Sequence, residues 1–392
     1  MAAALAVVAS LVAPSFAASA QVFSPPSTSP YVESANYTGF SNGSLPVQHV
    51  TPGLLFDRFI QIWFENTDFA VANSTAEFRS LADRGVLMTR YYALTHPSQP
   101  NYVAALGGSF WGMADDAYYN IPANVSTMVD LLEQANISWA SYQEHMPTDG
   151  YNEATYTSNN YIDPSAADYT YYWRKHNPTI IYDSVSNISS RAALHRNFND
   201  FAVDVNASAI PQWVFVTPNI VNDAHDTTID FAADFLNYWL EPLLADPRFN
   251  DNRTLILITF DENENYGINN QIFSVLLGGA LPEELRGTVD TTYYTHYSSM
   301  SSIQANWGLG SLGRNDTNEM MANVWSFIAD AVGYNNTFVA DADIPLTNIT
   351  GTIPGPLNSN SSFVTPWPAP NTSAVGAGGG PVFVSDDSEE CE

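Results

Sequence analysis

Three nearly continuous apolar runs constrain the fold of this chain more than any other feature. They cover residues 59–64, 213–216 and 255–260. A strand that is apolar at almost every position is buried on both faces, as the central strands of parallel sheets are. Segments with helical spacing alternate with these runs, so the sequence predicts an α/β fold with a mostly parallel central sheet and helices on both faces.

Weaker patterns complete the expected order of elements. The aromatic, Asn-rich segment 149–196 has little periodicity. We expect it to form a small cap over the functional site, whose candidate residues are described below. In the predicted helix 126–136, either Ser126 or Thr127 can be the N-cap residue. The predicted helices cover 70–85, 126–136, 230–245 and 319–332, and the further predicted strands cover 139–142 and 273–277.

Composition divides the chain into four parts. Residues 1–20 have a short apolar run and end in Ala18-Ser19-Ala20, which fits a secretory signal peptide with its cleavage site. Residues 21–55 are rich in Ser, Pro and Thr and predict an extended lead-in. The catalytic domain is predicted over 56–340, and 341–392 is predicted to be a Pro/Ser/Gly-rich, glycosylated tail.

Glycosylation signals support export to the cell exterior or the cell wall. The chain has thirteen Asn-x-Ser/Thr sequons, and this density predicts N-linked glycans. The alternative is a cytosolic protein that is rich in Asn and Ser. After the leader, no segment is apolar enough to span a bilayer, so no stable membrane association is expected. The thirteen Asn-x-Ser/Thr sites begin at Asn36, Asn42, Asn73, Asn124, Asn136, Asn187, Asn206, Asn252, Asn315, Asn335, Asn348, Asn360 and Asn371.

Charge and cysteine content narrow the choice of function and of stabilising interactions. The formal net charge of −29 argues against nucleic-acid binding, because phosphates would be repelled. The same charge suits a protein that works in acid, where many carboxylates are protonated, or it serves solubility alone. Cys391 is the one cysteine, so an internal disulfide is impossible and the fold depends on packing.

Polar pairs follow two of the apolar runs. Glu65-Asn66 comes directly after the first run and Asp261-Glu262 directly after the third. Ligands bind at the carboxyl ends of parallel strands, and carboxylate and amide oxygens are hard ligands for divalent cations. If the two strands are neighbours, these four residues can surround one metal ion, although either pair alone fits a solvated strand end.

Ser98 is the candidate nucleophile. It lies in the segment 95–102, where prolines are compatible with a first helical turn and Gly107-Gly108 end a short helix. A serine at a helix start meets free N–H groups and the positive end of the helix dipole, which favour phosphate binding and an alkoxide. The segment alone is equally consistent with a capping serine.

Histidines supply candidate acid–base groups. His225 follows the second apolar run and His296 precedes an expected helix. A protonated imidazole can pair with phosphate or protonate a leaving alkoxide. His96 either touches the substrate or shapes its turn, and His145 is a weaker candidate. The remaining histidines, which include His49, His176 and His195, have no comparable context.

Five segments, in order, resemble the secreted fungal acid phosphatases of the phosphoesterase family. They are 65–69, 96–102, 219–226, 260–262 and 294–298. The family also includes bacterial phospholipases C and belongs to the alkaline phosphatase superfamily, so the resemblance implies an alkaline phosphatase-like fold.

The resemblance also implies roles for particular residues. Ser98 matches the nucleophile that forms a phosphoserine, and His225 and His296 match groups that hold phosphate or protonate the leaving group. Further residues are expected to bind substrate, namely His96, Asn101 and Asn222. The single divalent cation is expected to be held by Glu65, Asn66, Ser98, Asp261 and Glu262.

Taken together, the sequence predicts a secreted acid phosphatase that hydrolyses small phosphate monoesters. A phospholipase C-type diesterase shares the nucleophile and metal, and the Tyr-rich stretch 151–173 would form its apolar mouth. A glycosidase is a further alternative, in which two of the carboxylates Glu65, Asp261 and Glu262 form the catalytic pair. Such an enzyme needs neither a metal ion nor Ser98. A non-catalytic wall glycoprotein explains the sequons but not the polar strand ends.

Overall fold

The computed structural model describes residues 30–344 and 351–385. The strands are β1 (Arg58–Phe64), β2 (Val86–Met88), β3 (Tyr91–Tyr92), β4 (Trp139–Gln143), β5 (Thr155–Ser158), β6 (Tyr169–Trp173), β7 (His195–Arg196), β8 (Trp213–Thr217), β9 (Thr254–Phe260), β10 (Ser274–Leu277), β11 (Thr288–Asp290) and β12 (Tyr294–Thr295). The helices are α1 (Phe69–Ser74), α2 (Ala76–Arg84), α3 (Ser98–Gly107), α4 (Met128–Gln134), α5 (Asp183–Ser186), α6 (Ser189–Ala192), α7 (Phe198–Asn206), α8 (Ile229–Phe235), α9 (Glu241–Leu244), α10 (His296–Trp307) and α11 (Ser326–Val332).

Eight strands form the central sheet in the order β11-β2-β10-β9-β1-β8-β4-β7. Among the described strands of this sheet, β10 alone runs antiparallel to its neighbours. The sequence prediction of a mostly parallel sheet is therefore confirmed. A second, two-stranded parallel sheet pairs β3 with β12, and a hairpin pairs β5 with β6.

Helices cover both faces of this sheet, as predicted. Successive residues of a strand point to opposite faces. Phe64 packs against Phe78 of α2, with 5.4 Å between ring centroids. Its neighbour Trp63 packs instead against Tyr102 of α3 at 4.9 Å and stacks on His296 of α10 at 4.4 Å.

The register of the central strands brings their carboxyl ends together. β1 lies between β9 and β8, with Phe64 opposite Phe260 and Ile62 opposite Val216. The residues that follow these strands therefore emerge at one edge of the sheet. Both polar pairs predicted at strand ends lie at this edge, next to one another.

Most predicted helices are present with altered boundaries. The predicted helix 126–136 is α4, and Thr127 caps it by accepting a hydrogen bond from the Val129 N–H at 3.2 Å. The predicted helix 70–85 is divided into α1 and α2, because Thr75 has an extended backbone. The predicted helix 230–245 is α8 and α9 joined by one π-helical segment, Leu236–Leu240.

The predicted helix over 319–332 is wrong in its first half, because α11 begins only at Ser326. Asn323 donates to the Tyr293 carbonyl at 3.0 Å, and the Asn336 side chain binds both backbone groups of Val324. These hydrogen bonds replace those of a helix, as asparagine side chains commonly do.

The predicted cap is built around the β5–β6 hairpin. A 3₁₀ turn, Arg174–His176, follows β6 directly and carries Lys175 and His176 to the carboxyl edge of the sheet. The rest of the segment continues through α5 and α6 into β7.

Both ends of the described chain lie against the catalytic body. In the lead-in, Tyr37 packs edge-on against Phe198 at 5.7 Å. In the C-terminal part, Trp367 packs on Trp111 at 5.0 Å. The four-part division remains a prediction, and its signal peptide and Cys391 lie outside the described residues. Within the described ranges, no helix has the length and apolar content needed to cross a membrane.

Candidate active site

Ser98 is buried at the first turn of α3 and contacts two carboxylates. Its hydroxyl lies 3.0 Å from Glu65 Oε2 and 3.3 Å from Glu262 Oε1. Pro97 occupies the N-cap position, and no side-chain capping bond is made there. Ser98 is therefore not the capping residue, and its hydroxyl faces the strand-end carboxylates.

Asn101 fixes the loop that carries Ser98. Its side-chain oxygen accepts hydrogen bonds from the backbone N–H groups of Leu94 at 2.9 Å and Thr95 at 3.2 Å. Its amide nitrogen donates to the Thr95 carbonyl at 2.7 Å. The expected substrate contact of Asn101 remains a prediction, whereas these bonds give it a positioning role.

Four buried carboxylates follow the strand ends at this edge of the sheet, and we call them the carboxylate cluster: Glu65, Asp223, Asp261 and Glu262. Asp261 accepts hydrogen bonds from the N–H of Asn66 at 3.3 Å and of Glu262 at 2.7 Å. The backbone carbonyl of Asp223 accepts from the N–H of Glu65 at 2.9 Å. Three strand ends, those of β1, β8 and β9, thus meet through backbone and side-chain hydrogen bonds.

Burial makes the charge of this cluster unfavourable. Burial, together with the charges of Asp261 and Asp223, raises the pKa of Glu65 well above its ordinary value. Burial raises the pKa of Asp261 to about 6, and it also raises the pKa values of Asp223 and Glu262. Several negative groups held together out of water need a positive partner or a proton.

The cluster fits a divalent cation. Glu65, His176 and Asp223 each offer a ligand atom, and these atoms lie within 4.8 Å of one another. The buried oxygens that lack a hydrogen-bond partner in the described structure include Asn66 Oδ1, Asp223 Oδ2 and Asp261 Oδ2. Oxygen donors and one imidazole are a donor set that divalent metals accept. A buried group that could bind a metal is therefore present.

The predicted metal ligands are brought together, and the structure adds two more candidates. His176 Nε2 lies 3.2 Å from Glu65 Oε1, and His176 Nδ1 lies 3.9 Å from Asp223 Oδ2. No role is predicted for His176 from the sequence. The available signal was its position, since it belongs to a basic run, 174–176, directly after the aromatic strand β6.

The predicted histidines occupy three different environments. His96 Nδ1 lies 2.6 Å from Glu262 Oε2, and its ring stacks on Tyr266. His296 is fully buried behind Asp261, whose carbonyl its Nε2 contacts at 2.7 Å. His225 is partly exposed, with its Nδ1 2.7 Å from Asp226 Oδ1.

Burial separates these histidines further. It lowers the pKa of His96 and of His296 to about 4 in each case. Among the three, His225 is the one whose ring reaches solvent. Its ring centroid lies 5.9 Å from that of His176, which places it at the rim of the carboxylate cluster.

Another buried carboxylate, that of Glu144, holds the loop after β8. Asn222 donates to both oxygens of Glu144 at 3.0 Å, and the backbone N–H of Asn219 donates to Glu144 at 2.9 Å. Glu144 follows β4 directly, as Glu65 follows β1 and Asp261 follows β9. Its position after a strand is therefore a signal that the sequence contains, although no role is predicted for it. The expected substrate contact of Asn222 remains a prediction.

A buried serine at a helix start, held between carboxylates at the carboxyl edge of a parallel sheet, is a hydrolase-type site. The chain belongs to the Phosphoesterase family, whose profile matches residues 68–310. This membership confirms the resemblance predicted from the sequence.

Individual relatives cover most of the chain. An acid phosphatase of Aspergillus fumigatus is 46% identical over 326 residues, which are 82% of this chain and 70% of that protein. A probable acid phosphatase of Kluyveromyces lactis is 44% identical over 85% of this chain and 75% of that protein. Among solved structures, an alkaline phosphatase superfamily protein from Vibrio parahaemolyticus shares 11% identity with a TM-score of 0.41, over 68% of this chain and 70% of that one.

Proposed function

We propose that this chain is an acid phosphatase that hydrolyses phosphate monoesters through a phosphoserine at Ser98. The observation that carries the mechanism is the Ser98 hydroxyl, buried at a helix start between Glu65 and Glu262. The class of enzyme agrees with relatives named acid phosphatases at 42–46% identity, and this agreement confirms the enzyme class predicted from the sequence.

Ser98 attacks the phosphorus atom of a bound monoester. Its hydroxyl proton passes to the carboxylate of Glu65 or Glu262, the two groups that accept its hydrogen bonds. The bond between Ser98 Oγ and phosphorus forms as the bond to the alcohol oxygen breaks. The products of this step are phosphoserine and the alcohol.

His225 is the residue that protonates the departing alcohol. It lies at the rim of the cluster, and Asp226 orients its ring through Nδ1. Water then attacks the phosphoserine, His225 accepts a proton from that water, and Ser98 recovers its proton from the carboxylate. His296 contacts Asp261 from behind and is assigned to positioning.

The candidate ligands Glu65, Asn66, His176, Asp223 and Asp261 would hold a divalent cation beside Ser98. When bound, such a cation neutralises charge on the phosphate oxygens and lowers the pKa of a coordinated hydroxyl.

Secretion and glycosylation complete the proposal. Every sequon asparagine in the described residues is at least partly exposed, as glycan attachment requires. Asn348 lies outside the described residues. A secreted protein with these sites would carry N-linked glycans over much of its surface.

Glu144→Gln is expected to reduce the pH dependence of stability on the acid side. Burial raises the pKa of Glu144 from an ordinary value of 4.5 to about 7. The folded chain therefore binds this proton more tightly than the unfolded chain, and Glu144 makes the free energy of unfolding rise as pH falls from about 7 to about 4.5. The rise from Glu144 is on the order of 2–3 kcal/mol.

Urea unfolding of the variant and the parent between pH 4.5 and 7.5 measures this effect. Glutamine keeps the acceptor oxygen for Asn219 but cannot ionise, so the difference in stability between the two chains should narrow as pH falls. The exposed Glu319→Gln is the matched control and should leave the slope unchanged. Equal slopes for Glu144→Gln and the parent would contradict the assignment.

The covalent intermediate provides the direct test of the proposed function. Denaturing acid, added to the enzyme during turnover of a ³²P-labelled monoester, should leave one acid-stable phosphate on the peptide that contains Ser98. Mass spectrometry of that peptide identifies the residue. A burst of alcohol with no labelled serine, or a label on a histidine, would refute the serine mechanism.

A further inference from the structure

Lys175 is the one lysine in the whole sequence. The turn Arg174–His176 places it directly before His176, whose Nε2 is 3.2 Å from Glu65. Its Nζ donates to Asp116 Oδ2 at 2.8 Å, and 12% of its side chain is exposed. A largely buried ammonium at the edge of an acidic site calls for an explanation.

Asp116 ties Lys175 to the helix that presents Ser98. The second oxygen of Asp116 accepts a hydrogen bond from the backbone N–H of Gln99 at 3.0 Å. Gln99 is the residue after Ser98, so one carboxylate joins the first turn of α3 to the ammonium. Lys175 and the nucleophile are thus held in a fixed relation through two hydrogen bonds.

The same contact removes a donor that the substrate would otherwise use. From the sequence, we expect the free N–H groups at the N-terminus of α3 to bind phosphate. The Gln99 N–H is committed to Asp116, and Pro100 has no N–H. Fewer N–H groups of this helix start are therefore left to hold the phosphate oxygens.

Lys175 has the charge and the free donors for that task. An ammonium has three N–H donors, and the bond to Asp116 uses one of them. Arg174, the neighbour of Lys175, donates instead to Asn152 and Asn120.

We propose that the ammonium of Lys175 binds a terminal oxygen of the substrate phosphate and makes the site prefer monoesters to diesters. A monoester has three terminal oxygens, and a diester has two because its second ester oxygen carries a carbon group. That oxygen is a poorer acceptor and brings a bulky substituent toward Lys175. This inference rests on the proposed function, and it deepens it by naming a specificity-determining residue.

Selective acylation of the native protein tests binding without any substitution. An amine-specific acetylating reagent can modify only Lys175 and the chain's N-terminal amine, and mass spectrometry separates the two products. Inorganic phosphate should slow acetylation of Lys175 at least about fivefold, whereas the same ionic strength of chloride should not. The N-terminal amine is the internal control, and equal Lys175 rates in phosphate and chloride would overturn the proposal.

Two substitutions test the preference for monoesters. Lys175→Gln should lower kcat/KM for p-nitrophenyl phosphate about 100-fold and that for its bis-ester less than about threefold. Lys175→Arg, which keeps a charged donor, should recover about tenfold of the monoester loss. Equal losses for the two substrates would overturn the assignment of specificity.

Asp116→Asn separates substrate binding from simple neutralisation of Asp116. The asparagine keeps an acceptor oxygen for the Gln99 N–H and removes the charge. If Lys175 serves only to neutralise Asp116, the double variant Lys175→Gln/Asp116→Asn will recover parental monoesterase activity, and the proposal is overturned. Under the proposal, the double variant stays as impaired as Lys175→Gln, with a raised inhibition constant for inorganic phosphate.

The test distinguishes failure of this inference from failure of the proposed function. Ser98→Ala addresses the function alone, and phosphate can still be titrated against acetylation of that inactive chain. Phosphate protection in Ser98→Ala supports the role of Lys175 whatever the covalent intermediate is. Loss of activity in Ser98→Ala without any protection of Lys175 would overturn this inference and leave the proposed function in place.

Discussion

Ser98→Ala is expected to lower kcat/KM for p-nitrophenyl phosphate by about four orders of magnitude or more. In the proposed reaction, Ser98 Oγ is the one protein atom that forms a bond to phosphorus. Its two hydrogen-bond acceptors, Glu65 and Glu262, remain in place in the variant. Alanine fits the space of serine, so the free energy of unfolding should change by no more than about 1 kcal/mol.

A second buried serine provides the control for this substitution. Ser184 donates to the Val125 carbonyl at 3.2 Å in the cap region and has no place in the proposed chemistry. Ser184→Ala removes an equivalent hydroxyl and should retain activity within about twofold, since its cost is one hydrogen bond's worth of stability. Steady-state kinetics and thermal unfolding of both variants complete the comparison.

Other outcomes correspond to the alternative functions. Full phosphatase activity in Ser98→Ala would refute the serine mechanism. Hydrolysis of a p-nitrophenyl glycoside that is unchanged in Ser98→Ala would instead favour a glycosidase, which uses carboxylates alone. Higher parental activity on bis-p-nitrophenyl phosphate than on the monoester would favour a phospholipase C-type diesterase. Absence of either activity in the parent would favour a non-catalytic glycoprotein.

The arrangement of the sheet followed from local sequence. Continuous apolar runs at 59–64, 213–216 and 255–260 identified the strands buried on both faces. Their polar ends were expected to meet if the strands were neighbours, and the pairing of Phe64 with Phe260 fulfils that condition. The candidate metal oxygens Glu65 and Asp261 were therefore within reach of prediction because they follow strands directly.

The contribution of the cap could not be read in the same way. His176 and Lys175 lie on a 3₁₀ turn after a hairpin, and neither element has the period of a buried strand or an amphipathic helix. Their distance from Glu65 depends on how the hairpin packs on the sheet, which is a long-range property. Asp223 likewise reaches the cluster through the path of the loop after β8, on which periodicity has no bearing.

Histidine roles depended on burial that the sequence does not encode locally. His296 was a candidate proton donor because it precedes a helix, and it does occupy the first position of α10. Its ring, however, is stacked on Trp63 and fully buried, and burial lowers its pKa to about 4. A neighbouring strand, rather than the helix that carries it, determines this environment.

Glu65→Gln is expected to abolish most activity, by about three orders of magnitude, and to remove the response of stability to divalent cations. Glu65 contacts three groups of the site: the Ser98 hydroxyl, the Tyr102 hydroxyl and His176. Glutamine keeps the shape and one acceptor oxygen, but it removes a charge from the carboxylate cluster. Thermal unfolding of chelator-treated protein, with and without added Mg²⁺, Mn²⁺, Ca²⁺ or Zn²⁺, measures the effect without reference to activity.

The two conditions should change stability in opposite directions, and this distinguishes a metal site from a merely buried glutamate. In chelator at neutral pH, Glu65 must either keep its charge beside Asp223 and Asp261 or bind a proton that the unfolded chain does not bind. Both alternatives cost stability, so Glu65→Gln should be more stable than the parent by about 1–2 kcal/mol. With a cation that fits, the parent should gain stability in proportion to the logarithm of cation concentration, whereas the variant should gain little. The partly exposed Glu133→Gln, whose carboxylate pairs with Arg191, should follow the parent in both conditions. An equal cation response in Glu65→Gln and the parent would place the metal elsewhere, because no ligand that supplies a full charge to the site can be neutralised without weakening its hold on a divalent ion.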